Sequence, residues 1–134
     1  MKINLTFLRT AAVFGLTAVV LGAFGAHGLK NILPPERLLI FETGVRYQYY
    51  HTFALLFTSL LSARLPGRYL RYAGRCFIIG IVLFSGSLYL LAVRDAIGLT
   101  FWKILGPLTP LGGVFFIAGW LLLFLAGKGI SNNQ

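Results

Sequence analysis

Four apolar stretches occupy most of this chain, and they restrict its fold more than any other feature. A run of about 18 or more apolar residues reads as a helix that crosses a bilayer. The stretches fall at roughly Phe7–Gly28, Tyr47–Ala63, Arg75–Val93 and Leu105–Ala126. At about 1.5 Å per residue each covers the hydrocarbon thickness of about 30 Å, the second only just. In lipid an isolated segment satisfies its backbone only as a helix. The expected fold is therefore all-α: a four-helix transmembrane bundle forming one integral membrane domain over residues 1–134. Composition agrees, with 57% hydrophobic and only 11% charged residues, outside the range of soluble domains.

The net charge of +9 raises the question of a nucleic-acid partner. The basic residues lie at the ends of the apolar runs, where they meet anionic headgroups and set topology. No clustered basic face on a soluble module is present, so nucleic acid is not an expected partner. Seven basic residues (Lys2, Arg9, Arg64, Arg68, Arg71, Arg75 and Lys128) fall on one side and five (Lys30, Arg37, Arg46, Arg94 and Lys103) on the other. Positive residues favour the cytoplasmic side, and the four arginines of the short 64–75 loop decide the orientation with both termini cytoplasmic. The first stretch is too long for the apolar core of a signal peptide and is read as a retained span. Cys76 stands alone and is expected to pack as a small apolar side chain.

Between the first two spans, Pro34 and Pro35 suit a helix start. From Glu36 to Arg46 charged and apolar residues mix, as in an amphipathic interfacial helix leading into the second span. Glu42 and Arg46, four apart, have the favoured orientation for a helical ion pair. In the first span Ala11, Gly15, Ala18, Gly22 and Ala26 share a face, and in the fourth Gly112, Gly119 and Ala126 do the same. Such faces let backbones approach closely, within one bundle or between copies. Ser85-Gly86-Ser87 interrupts the third span. Gly106-Pro107 and Pro110 near the start of the fourth predict an irregular first turn or a kink. Trp102 and Trp120 fit interfacial belts.

Counting along each span at about 1.5 Å per residue places several polar groups at similar depth. His27, Glu42, Arg46, Tyr47, His51, Ser85, Ser87, Tyr89 and Thr109 thus form a candidate ligand-binding cluster in the outer half of the bundle. Ionisable residues within a membrane are costly and suggest function. Each also has a structural reading: His27 as a helix-terminal residue, His51 as interhelical glue, the serines as donors to the preceding turn. Two histidines allow a bis-histidine haem site, but no third metal ligand accompanies them, and no cofactor is expected. No nucleophile elbow, phosphate loop or metalloprotease helix is present, so an enzyme is not expected. The reading is a small binding or interaction protein. An oligomeric transporter or channel subunit is the alternative, and its partners are the bilayer and either a second copy or another membrane protein.

The segments Leu21-Gly22-Ala23-Phe24-Gly25-Ala26-His27-Gly28, Glu42-Thr43-Gly44-Val45-Arg46-Tyr47-Gln48 with His51, Leu83-Phe84-Ser85-Gly86-Ser87-Leu88-Tyr89, and Thr109-Pro110-Leu111-Gly112-Gly113 with Gly119-Trp120 carry a resemblance. In that order they resemble the small membrane proteins related to human transmembrane protein 256. The resemblance spans nearly the whole chain. It implies a four-span integral membrane protein, placed in bacteria in the inner membrane, and brings no established activity.

Overall fold

The computed structural model of the chain describes residues 2–65 and 67–131, and among these every regular element is helical. Helix α1 (Leu5–His27) begins at Asn4, whose side chain accepts the Phe7 amide, satisfying one of the free donors of the first turn. A 3-10 turn (Leu29–Asn31) follows. Helix α2 (Pro35–Leu61) starts with proline at its first position, where the missing amide costs nothing. The interfacial segment and the second span are thus one unbroken helix of 27 residues, about 40 Å long. Helix α3 (Arg68–Gly80), a π-helical turn (Ile81–Ser85) and α4 (Gly86–Val93) form a single rod. Helix α5 (Trp102–Ser131) closes the order.

Three of these segments are long and apolar enough to cross a membrane: Leu5–Asn31, Arg68–Val93 and Trp102–Lys128. Helix α2 matches them in length but carries Gln48, His51, Thr52, Thr58 and Ser59, all buried. From Gln48 onward its exposed positions are instead Tyr50, Phe53, Phe57 and Leu60. Over that stretch the polar face of α2 points into the protein and its apolar face points out, whereas toward the Pro34 end Glu36, Glu42 and Arg46 are exposed.

That inversion follows from the packing order. Helix α1 lies along α2, α2 lies against the α3–α4 rod, and the rod lies along α5. The chain's start meets the end of α2, where the Asn4 amide bonds the Ser62 hydroxyl (2.9 Å) and Ser59 donates to the Asn4 carbonyl (2.7 Å). Arg64 leaves from that same end, while Arg68, Arg71 and Arg75, expected in a loop with it, lie on α3, because the helix begins seven residues before the apolar stretch does. One apolar core there joins Phe7, Ala11, Leu55, Phe77 and Phe116; a second, toward the Pro34 end, joins Leu29, Leu33, Phe41 and Ala92.

Small residues make this approach possible. The α1 face is Ala11, Gly15, Ala18, Gly22 and Gly25; Ala26, expected as its last member, is exposed, because a helical stripe advances by 3.6 residues and the step from Gly22 is three. Phenylalanine rings are seated on Gly74, Gly80 and Gly119. At Gly112 the neighbour is main chain: a Cβ there would lie 2.5 Å from the Phe84 nitrogen, inside the π-helical turn. The break expected around Ser85 is this π turn. The irregular start expected for the last helix is not found, since α5 runs through Pro107 and Pro110. Each proline lacks the amide that would bond four residues back, which frees the carbonyls of Lys103 and Gly106.

Candidate functional site

The expected polar cluster divides into two regions with different chemistry. The first is a buried seam between α2, α4 and α5. Its hub is Gln48, only 3% exposed. The Gln48 amide nitrogen donates to the Phe14 carbonyl (2.8 Å) and the Thr17 hydroxyl (2.9 Å) of α1, and its oxygen accepts the Tyr89 hydroxyl (2.7 Å). One turn back along α2, the Gly44 carbonyl accepts the Ser85 hydroxyl (2.7 Å). This is the carbonyl of a residue whose Cβ would sit 2.8 Å from the Tyr89 ring, so the absence of a side chain at Gly44 admits both partners. Ser87 and Thr109 share a hydrogen bond (2.6 Å) between α4 and α5.

His51 completes the seam. Its ring lies flat on Phe116, with centroids 3.4 Å apart at 6°. The Trp120 indole N–H donates to Nε2 (3.2 Å), which makes Nε2 the bare nitrogen, and Nδ1–H then donates to the Tyr47 carbonyl (2.8 Å). Both ring nitrogens are engaged, so a haem iron would have to displace Trp120 to reach Nε2. Trp120, expected as a belt residue, acts as an interhelical donor. Tyr47 contributes its carbonyl and stacks on Phe84 (4.6 Å). Buried polar groups of this kind require partners, and these groups have them. Thr52 is the exception: its hydroxyl is buried without a partner, opposite Gly15 of α1.

The remaining expected residues do not join the seam. His27 is the exposed last residue of α1, a position that favours it electrostatically. Glu42 and Arg46 are exposed on the other face of α2. The ion pair expected between them is not formed: among the described residues, salt bridges join only Arg37 to Asp95 (2.9 Å) and Arg94 to Asp95 (3.4 Å). The reason is rotamer freedom at an exposed site, where an (i, i+4) pair is worth only a few tenths of a kcal/mol. Glu42 and Arg46 instead line a groove of about 300 Å³ between α1 and α2, with Gly22, Gly25, Phe41, Val45 and Tyr49.

Two features were missed from the sequence. Gln48 lacks a charge to draw notice, although it lies four residues after Gly44 and three before His51, on one helical face. Arg37 clamps the Pro34 end by donating to the Leu91 carbonyl (3.1 Å) and to Asp95 (2.9 Å), while Arg94 lies over the Trp102 ring at 4.2 Å. Asp95 is 58 residues from Arg37, a pairing that only the docked helices create.

A helical membrane protein with a buried polar seam and an open charged groove is the class that fold and geometry define. The chain belongs to the family described as "Protein of unknown function (DUF423)", whose pattern matches residues 21–113. It is 45% identical over 121 residues to the UPF0382 membrane protein YwdK of Bacillus subtilis, covering 90% of this chain and 94% of that one. To a UPF0382 membrane protein of Haemophilus influenzae it is 42% identical, covering 87% and 89%. To the UPF0382 inner membrane protein YgdD of Escherichia coli it is 37% identical, covering 92% and 93%. No solved structure matches the chain.

Proposed function

We propose that this protein is a small binding protein of the bacterial inner membrane, not an enzyme, with its ligand seated in the α1–α2 groove beside Glu42 and Arg46. The observation that carries the reading is two opposite, exposed charges without a salt-bridge or hydrogen-bond partner among the described residues, at the rim of an otherwise apolar groove. Small-molecule sites combine an apolar surface with a few convergent polar groups and occupy about 300–1,000 Å³. This groove falls at the small end of that range. The buried seam holds the helices in register, and its Gln48, His51, Ser85, Ser87 and Tyr89 groups are engaged with one another and with the main chain.

On this reading α2 is a fourth span. Its 27 residues exceed the number needed to cross, and its low hydropathy comes from polar groups turned inward, where other helices satisfy them. Both termini then lie on the cytoplasmic side with the 64–75 arginines. Arg46, just before the apolar stretch 47–63, then lies at the outer end of this span, near the headgroups. An unpaired cation at that level is drawn to an anionic counter-group.

Native mass spectrometry of the protein released from membranes in mild detergent tests this. The expected result is a retained small molecule that a Glu42→Ala/Arg46→Ala double variant no longer holds. A wild-type protein that emerges bare, or a ligand kept equally by the double variant, would overturn the assignment.

A further inference from the structure

We infer that the groove takes an aminophospholipid headgroup, its phosphate on Arg46 and its primary ammonium on Glu42; this deepens the binding reading above and rests on it. Glu42 and Arg46 are one helical turn apart on the same exposed strip of α2, on the rim of one groove. A simple anion drawn to Arg46 would be repelled by Glu42, and a simple cation would meet the reverse. A zwitterion satisfies both. The guanidinium fork matches phosphate oxygens, and a carboxylate accepts hydrogen bonds from a primary ammonium.

The order of the charges also fits. Helix α2 starts at a membrane surface, so Glu42 lies nearer that surface than Arg46 by four residues, about 6 Å. In a phospholipid of either leaflet the phosphate is fixed to the acyl-bearing glycerol, and a flexible two-carbon link lets the ammonium tilt outward from it. The polarity Glu-outside, Arg-inside is one this headgroup can meet in either leaflet. A quaternary ammonium is recognised by an aromatic cage; here Phe41 lies buried beneath the groove with its ring against Tyr89 (4.9 Å), leaving Tyr49 as the aromatic at the rim.

The dimensions point to a headgroup and not a whole lipid. About 300 Å³ leaves the acyl chains outside. Their path is provided by Tyr49 and Phe53, whose rings stack 6.4 Å apart, with Phe53 one turn further along α2 and 62% exposed. Gly22 and Gly25 supply a floor without side chains on the α1 side.

The test is native mass spectrometry of the full chain after exchange into mixed micelles holding equal amounts of phosphatidylethanolamine, phosphatidylcholine and phosphatidylglycerol. Expected for the wild type is retention of phosphatidylethanolamine at least fivefold above the other two. Glu42→Gln is expected to erase its advantage over phosphatidylglycerol while phosphatidylglycerol is still bound. Arg46→Gln is expected to lower retention of all three about tenfold. Circular dichroism and melting temperature, unchanged in both variants, separate these effects from misfolding. Equal retention of the three lipids by the wild type, or a preference that survives Glu42→Gln, overturns the headgroup assignment. If some other small molecule is then lost with Arg46→Gln, the binding reading stands without it. If no small molecule is retained, both fall. A lipid-free dimer that dissociates in Arg46→Gln would give the groove to a second copy and overturn the lipid.

Discussion

Arg46 and Gln48 are two residues apart on α2, which turns them about 200° from each other around the helix axis. Gln48 is buried and makes three hydrogen bonds to α1 and α4. Arg46 is exposed and, among the described residues, makes none. The same helix thus presents a satisfied polar face and an unsatisfied charged one. Burial without partners is costly, and apart from the Thr52 hydroxyl the polar groups of the seam have them. Exposure removes that requirement, and an exposed charge is free for an external partner. On the proposed reading the seam is structure and the groove is the binding site, although both are made of residues that look equally polar in the sequence.

Substitutions at small residues should separate the two regions most widely. Gly112→Ala places a methyl 2.5 Å from the Phe84 main-chain nitrogen, which neither helix can yield without opening the seam. A loss of about 3 kcal/mol, at the upper end for overpacking, is expected in unfolding from detergent. Gly22→Ala, on the groove side, first meets Val45 at 3.5 Å, an ordinary contact. The same measurement should find it neutral or slightly stabilising, since alanine also favours the helix.

Gln48→Leu strands the Tyr89 hydroxyl in an apolar setting and should cost about 2 kcal/mol. Adding Tyr89→Phe removes the stranded donor, so the double variant should lose less than the sum of the two single ones. A strictly additive cycle would mean that Tyr89 finds another acceptor and that Gln48 is not the hub.

Ser87→Ala removes one interhelical bond, that with Thr109, together with the Ser87 donation to the Phe84 carbonyl of the preceding turn. Interhelical bonds in membranes average about 0.6 kcal/mol, because unfolded helices in lipid also find partners. A small drop in melting temperature is expected; a loss above 2 kcal/mol would show that the α4–α5 contact depends on this pair.

Glu42→Gln and Arg46→Gln should move stability least, within about 0.5 kcal/mol, while changing what is retained with the protein. If either destabilises as much as Gln48→Leu, the contrast between the two faces fails.

The sequence reached the depth of the polar residues but not their direction. Ser87 and Thr109 were placed at one level by counting residues, and they bond. Glu42 and Arg46 were paired by spacing, and they do not, because spacing fixes proximity while solvation and rotamer entropy decide contact. His27 shares a motif with its neighbours yet ends α1 at the surface. Trp120 was assigned to a belt by residue type, and only the docking of α5 beside α2 turned its N–H to His51. Gln48 escaped notice because an amide carries no formal charge, while its value depends on α1 and α4 arriving from opposite sides.

What the sequence by itself determined is the solvent and the secondary structure: apolar runs of this length, with basic residues at their ends, have only the helix available in lipid. The break at Ser85 and the start at Pro35 were legible for the same reason, since they follow from local backbone chemistry. The tertiary structure alone decided which side of α2 faces in. Its period of 3.6 residues puts polar and apolar groups on both candidate faces, and only the close approach of α1 and the α3–α4 rod selects the inward face, where Gly44, Gln48 and His51 find their hydrogen-bond partners. That choice leaves Glu42 and Arg46 outside, at the rim of the groove.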